Sequence, residues 1–246
     1  MNIYPTLTIS LLDRLTDREL QSNYLNHLDR TAEIASLLTQ ITEPDLALRI
    51  VNLALEVDLF LGANLTASIE PALQKIIVDR INSLAIPTRL KIELWRRTKS
   101  NAALAYIHDL FMVKNQYRRT SIYDHDRERD GIVYDAMDAI IDLDPNLAAN
   151  LLIETLSDRG FYCSDTGTIA RIAIADADTA VLTEKTKAAV IGTLVSRLDT
   201  SPTHDYHNYD CPALEALGKI GTESAIAKIR DILNEDKSLW LNPTWF

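Results

Sequence analysis

From Leu46 to Leu233 apolar residues return every three or four positions, in stretches separated by short polar links. A period of 3.6 puts such residues on one side of a helix, so the chain must bury a succession of helical stripes against one another. Leu46, Ile50, Leu53, Ala54, Val57 and Leu61 predict one helix, with Thr42 as its cap and Pro44 in its first turn. Ile69, Leu73, Ile76, Ile77, Ile81 and Leu84 predict the next, ending before Pro87. Further helical stretches are expected at 90–95, 103–111, 132–143, 147–156, 169–175, 185–198, 213–220 and 224–233. Sustained apolar/polar alternation is missing, and the one Asp-Gly pair, Asp130-Gly131, leads into a helical pattern rather than a hairpin. The expected class is all-α.

The helices are not independent of one another in sequence. Ala136, Ala139 and Asp144 correspond to Ala170, Ala173 and Asp178, and again to Ala213, Ala216 and Gly221. The steps, 136 to 170 and 170 to 213, are 34 and 43 residues. A fainter echo begins at Lys91, with Leu94 and Lys99 in matching places. Each unit reads as a helix with small residues, a tight turn, and a second amphipathic helix. Alanines three apart thin the side-chain layer, so two helices approach closely and a neighbouring unit covers the face left over.

The stretch Glu215-Ala216-Leu217-Gly218-Lys219-Ile220-Gly221-Thr222-Glu223-Ser224-Ala225-Ile226 resembles HEAT-like repeats, in particular the subclass named after phycobilin lyases and common in cyanobacterial proteins. Residues 53–65, LALEVDLFLGANL, look like segments that accompany such repeats. The resemblance is clear over 211–234, fair over 130–198, weak over 43–115, and does not extend to 1–41. It implies an α-α superhelix, a HEAT/armadillo-like solenoid, with 1–41 as an N-terminal helical cap, 42–234 as repeats and 235–246 as an aromatic tail that covers the last repeat or docks a partner. The repeat motif specifies packing and carries no catalytic residue.

Two surpluses interrupt the repeat, at 115–130 and 199–210, and both are expected to be loops on one edge of the stack. They concentrate Tyr117, Arg118, Arg119, Tyr123 and His125, then Tyr206, His207 and Tyr209, residue types suited to interfaces. The pair reads either as a recognition edge or as two solvated loops.

Other chemistry is poorly supported. Asp126, Glu128, Asp130 and Gly131 partly mimic a calcium loop, but Met137 stands where a bidentate carboxylate is required. His204, His207 and Cys211 lack an evident fourth zinc ligand, and Cys163 has no base supplied by its neighbours. His27 and His108 lie on helical patterns and read as surface or interface histidines. Phosphate-binding glycine loops and hydrolase motifs are also missing. The 246 residues carry 25 basic and 35 acidic side chains, a formal charge of −10 that argues against nucleic acid and favours a partner with a basic or mixed surface. The first residues lack a basic and apolar leader, no stretch is apolar enough to span a membrane, and two cysteines make no disulfide framework, so a cytoplasmic protein is expected.

The expected function is a non-enzymatic protein-binding scaffold or adaptor with no metal and no cofactor. The resemblance implies an alternative, a phycobilin lyase or bilin-handling chaperone, in which Arg118, Arg119, Tyr123 and His125 would hold a transient bilin chromophore. A regulatory module that works beside an NTPase is a third reading.

Overall fold

The computed structural model describes residues 7–120, 127–157 and 183–200, with the isolated positions 223, 226, 227 and 230. Within these helices the side chains of 28, 113–120, 127–130, 152, 154–157 and 194–200 are outside the description. Eleven α-helices are found among the described residues, and no strand. The chain divides into two compact units, one ending at Leu110 and the next beginning at Phe111.

In the first unit α1 is Ile9–Arg14 and α2 is Asp17–Leu20, which continues into a π turn over Gln21–Leu25. A capping box starts α2: the Glu19 amide donates to Thr16 Oγ1 while the Thr16 amide donates to the Glu19 carboxylate. A 3-10 turn, Leu28–Arg30, leads into α3, Thr31–Leu38. The N-terminal segment contributes apolar side chains to the core of this unit. Leu12, Leu20, Tyr24, Leu25, Ile34 and Leu38 are all buried, and each such side chain stabilises the fold by roughly 1.5–3 kcal/mol. Even Arg30 is buried, its guanidinium over the Tyr24 ring at 5.0 Å and 3.7 Å from the Glu33 carboxylate, to which the Leu7 amide also donates.

The expected single helix through Leu61 is two helices. α4 is Pro44–Val57 and α5 is Leu59–Thr66, separated by Asp58 alone. Asp58 is extended, and its Oδ1 accepts from the Leu61 amide at 2.8 Å. A carboxylate that caps the following helix stabilises a break that apolar spacing cannot reveal. At the other end, Thr42 does not cap α4. Glu43 occupies that place without a side-chain bond, and Pro44 opens the helix.

α4 is buried over two adjoining stripes, Leu46/Ile50/Leu53/Ala54 and Ala47/Val51/Leu55. Two stripes are needed because α5, α6 (Pro71–Ser83) and the π turn all pack on α4. Its polar stripe is tied to both neighbours. Arg49 donates to Asp17 at 2.7 Å and to the Leu15 carbonyl at 2.5 Å, and Arg80 of α6 donates to Asn52 at 2.6 Å. α6 itself turns Ile77, Val78 and Ile81 inward and leaves Ile76 half exposed, because it lies well round the helix from the centre of the arc those three share.

α7 is Thr88–Thr98 and α8 is Asn101–Thr120. Lys99 between them is left-handed, with φ 51°, and Ser100 Oγ accepts from the Ala102 amide to start α8. α3 packs on α5, α4 on α6, and α5 on α7, while α4 also packs on α5 and α6 on α7. In the second unit α9 is Arg127–Leu143, α10 is Pro145–Ser157 and α11 is Glu184–Thr200, with α10 packed on both others.

The register read from the repeats lands on real turns. Lys99 lies between α7 and α8, and Asp144 between α9 and α10, where its carboxylate accepts from the Asn146 and Leu147 amides at 3.0 Å. Leu94, Ala136 and Ala139 are buried as the echo requires. The expected helices 169–175 and 213–220, and the tail 235–246, lie outside the described residues.

Two substitutions probe these contacts. Gly62 of α5 lies so close to α4 that an added Cβ would meet the Leu55 side chain and sit 2.7 Å from the Leu55 amide nitrogen. Alanine favours a helix by about 1 kcal/mol over glycine, but a backbone atom cannot rotate away. Gly62→Ala is therefore expected to destabilise the first unit by about 1–3 kcal/mol in urea unfolding. Lys99→Gly is expected to stabilise it by about 1 kcal/mol, since the left-handed conformation strains any residue with a Cβ. The repeat register places Gly221 at the matching position.

Candidate functional site

The expected recognition edge meets the structure only in part. α8 runs on to Thr120 and α9 begins at Arg127, so 115–120 and 127–130, expected within a loop, are helical, and 121–126 lie outside the described residues. The reason is local: Lys114, Gln116, Arg118 and Arg119 are good helix formers, and no glycine or proline interrupts them. Tyr117, Arg118 and Arg119 thus have helical backbones, with side chains outside the description. Tyr123, His125, Tyr206, His207 and Tyr209 lie outside the described residues, as do Cys163, His204 and Cys211. Residues 127–131 are helical, which removes the open loop a calcium site over 126–137 would need. Among the described residues no group of three His, Cys, Asp or Glu is placed to hold a metal ion. No helix among them is long and apolar enough to cross a membrane.

What the described residues do show is an uneven distribution of charge. Residues 71–99 hold seven basic and two acidic side chains, against eighteen basic and thirty-three acidic in the rest of the chain. The whole-chain charge conceals this cationic segment, and the sequence reading missed it; a sliding charge count would have found it. The structure divides its members between different surroundings. Arg80 reaches from α6 to Asn52 and, at 3.4 Å, to Glu56 on α4. Lys91 Nζ donates to the Asn82 carbonyl at 2.6 Å. Lys75 is paired with Asp79 at 2.7 Å.

The outer face of α7 is different. Ile92, Leu94, Trp95 and Thr98 are buried, which turns Arg89, Glu93, Arg96 and Arg97 outward on the remaining arc. Three arginines share this face with one carboxylate. Glu93 accepts from Arg97 at 2.7 Å and pairs with Arg96 at 3.0 Å. The Arg97 guanidinium lies over the ring of Phe60, 4.8 Å from its centroid, and Phe60 of α5 is itself 38 % exposed. The helix dipole accounts for Arg96 and Arg97 in the last turn, but disfavours Arg89 in the first.

On the inner side Trp95 stacks on Tyr106 of α8, with ring centroids 5.4 Å apart and planes 14° from parallel. Tyr106 donates its hydroxyl proton to Asp79 at 2.9 Å, joining α6 to α8 beside the ring pair. Bonds from Lys75 and then Tyr106 hold the Asp79 carboxyl below its ordinary value, against a smaller opposing effect of burial. The same bonds push Lys75 and the Tyr106 phenol above theirs.

No protein-family model, curated protein or solved structure matches this chain. The HEAT-like resemblance therefore rests on the residues that carry it.

The Asp79 cluster has a pH signature with two edges. A lowered carboxyl contributes stability above its unfolded value and loses it as pH falls through the folded one. A raised ammonium and a raised phenol contribute below their unfolded values and lose it as pH rises through the folded ones. Melting temperatures measured from about pH 2 to about pH 12 should fall more steeply at both ends in the wild type than in Asp79→Asn.

Proposed function

We propose that the chain is a non-enzymatic protein-binding scaffold of stacked helical hairpins, of the HEAT-like kind, acting on another protein without a cofactor. The observation that supports this most is the packing in the first unit, where α3 meets α5, α4 meets α6 and α5 meets α7. Next-but-one packing is how hairpins with two apolar sides hide both, each unit covering its neighbour. It leaves the outer faces of successive helices as a continuous surface suited to a polypeptide rather than a pocket suited to a small molecule. The buried alanines of α9 and α10 and the turns at Lys99 and Asp144 support the same repeat in both units.

The scaffold reading and the bilin-handling alternative separate in one set of measurements. Under the scaffold reading, the purified chain retains a stoichiometric protein partner in affinity purification with mass spectrometry and leaves the visible absorbance of phycocyanobilin unchanged at tens of micromolar. A shifted and intensified bilin band overturns it in favour of the lyase alternative. Comparing Tyr123→Ala/Tyr206→Ala with the wild type then tests the edge: loss of the partner places binding there, and unchanged retention moves it to the helical faces.

A further inference from the structure

We infer that residues 31–57 and 58–84 are two copies of one helical hairpin, α3–α4 and α5–α6, set 27 residues apart and interchangeable in register. The inference rests on the stacked-hairpin scaffold reading and supplies the unit from which the first part of the stack is built.

The bounds of the helices bring two stretches of sequence into line. Residues 38–52, LTQITEPDLALRIVN, and residues 65–79, LTASIEPALQKIIVD, agree at seven of fifteen places. Unrelated stretches of ordinary composition share about one, so the match points to a common unit. Its step is shorter than the 34 and 43 residues that separate the echoes later in the chain.

The structure treats the two copies alike. Glu43 and Glu70 each stand before the proline that opens a helix, and their carbonyls accept from the amides of Ala47 and Gln74, again 27 apart. Leu38, Ile50, Val51 and Ala54 are buried in the first copy, and Leu65, Ile77, Val78 and Ile81 are buried at the matching places in the second. α3 packs on α5 and α4 on α6, so each helix lies against its own counterpart. Polar contacts between the helices keep the same step. Arg80 donates to Asn52 at 2.6 Å and Tyr106 of α8 donates to Asp79 at 2.9 Å, and positions 52, 79 and 106 are successive steps of 27. The copies differ where their neighbours differ. Arg49 reaches Asp17 at 2.7 Å, whereas Ile76, its counterpart, is half exposed on α6. Ala35 stands one step before Gly62, which lets α5 close on α4. In a stack held by contacts between nearest neighbours, one internal unit can be removed and the units on either side still meet matching faces.

The test shortens the full chain by one unit, in a Trp240→Phe/Trp245→Phe background where Trp95 of α7 is the one tryptophan left and reports on the first unit. Removing residues 50–76 joins Arg49 to Ile77, which keeps Arg49 in line with Asp17 and Asp79 in line with Tyr106. Removing residues 44–70 joins Glu43 to Pro71 and puts Ile76 in the place of Arg49. Both shortened chains are expected to unfold in urea in a single cooperative transition of Trp95 fluorescence. Removing residues 50–78, two more than one unit, turns the following residues by about 200° about the helix axis and should abolish that transition. Ile76→Arg should raise the urea midpoint of the chain lacking 44–70, where it faces Asp17, and leave that of the full chain unchanged. General tolerance to deletion cannot produce such a gain. The inference is overturned if both in-register cuts lack the transition, if the 50–78 cut keeps it equally well, or if Ile76→Arg gives no gain in the shortened chain. Failure of both in-register cuts, with a protein partner still retained by the full chain in affinity purification, removes the duplication and leaves the scaffold. A full chain that retains no partner removes the scaffold and leaves the duplication to the urea result.

Discussion

The close approach of α5 to α4 is the contact on which the first unit depends. It requires two residues with different physical roles. Asp58 stops α4 and starts α5 within one residue, because its carboxylate replaces a hydrogen bond that the helix would otherwise leave unmade. Gly62 then permits contact with the backbone of Leu55, where any side chain would hold the helices apart. With the hairpin closed, α4 also packs on α6 and the π turn, and α5 on α3 and α7. The polar stripe of α4 is consumed by Asp17, Gln21 and Arg80 from the elements on either side.

The same arrangement explains why the outward charge of this unit is uneven. Cations on the α4 and α6 side meet carboxylates because those helices pack next to acidic neighbours. α7 packs on both α5 and α6, and on its outer face Glu93 pairs with Arg96 and Arg97.

Some of this was open to a reader of the residues. The apolar period places α6, α7, α9, α10 and α11 to within a few residues, and the repeat echo places the turns at Lys99 and Asp144. The division at Asp58 was not visible, because Val57 and Leu61 keep the helical spacing across a break made by a cap. Nor was the exposure of Ile76, since an Ile-Ile pair reads as apolar wherever the neighbour happens to lie. The cationic segment 71–99 was hidden for another reason: a total charge sums over the whole chain and conceals a local reversal of sign. Of the residues first singled out for recognition, Tyr117, Arg118 and Arg119 turned out to have helical backbones, because nothing in 113–120 opposes the helix that precedes it.

The residues alone determined that this chain is helical and where most of its turns fall, because helix period, capping and helix-breaking are settled within a few neighbouring positions. Tertiary structure decided which stripe of each helix is covered, where an unbroken apolar pattern folds back on itself, and which charged side chains meet across helices. Those outcomes depend on contacts between residues tens of positions apart, such as Arg49 with Asp17, Arg80 with Asn52 and Arg97 with Phe60, and no local pattern encodes who the neighbour will be.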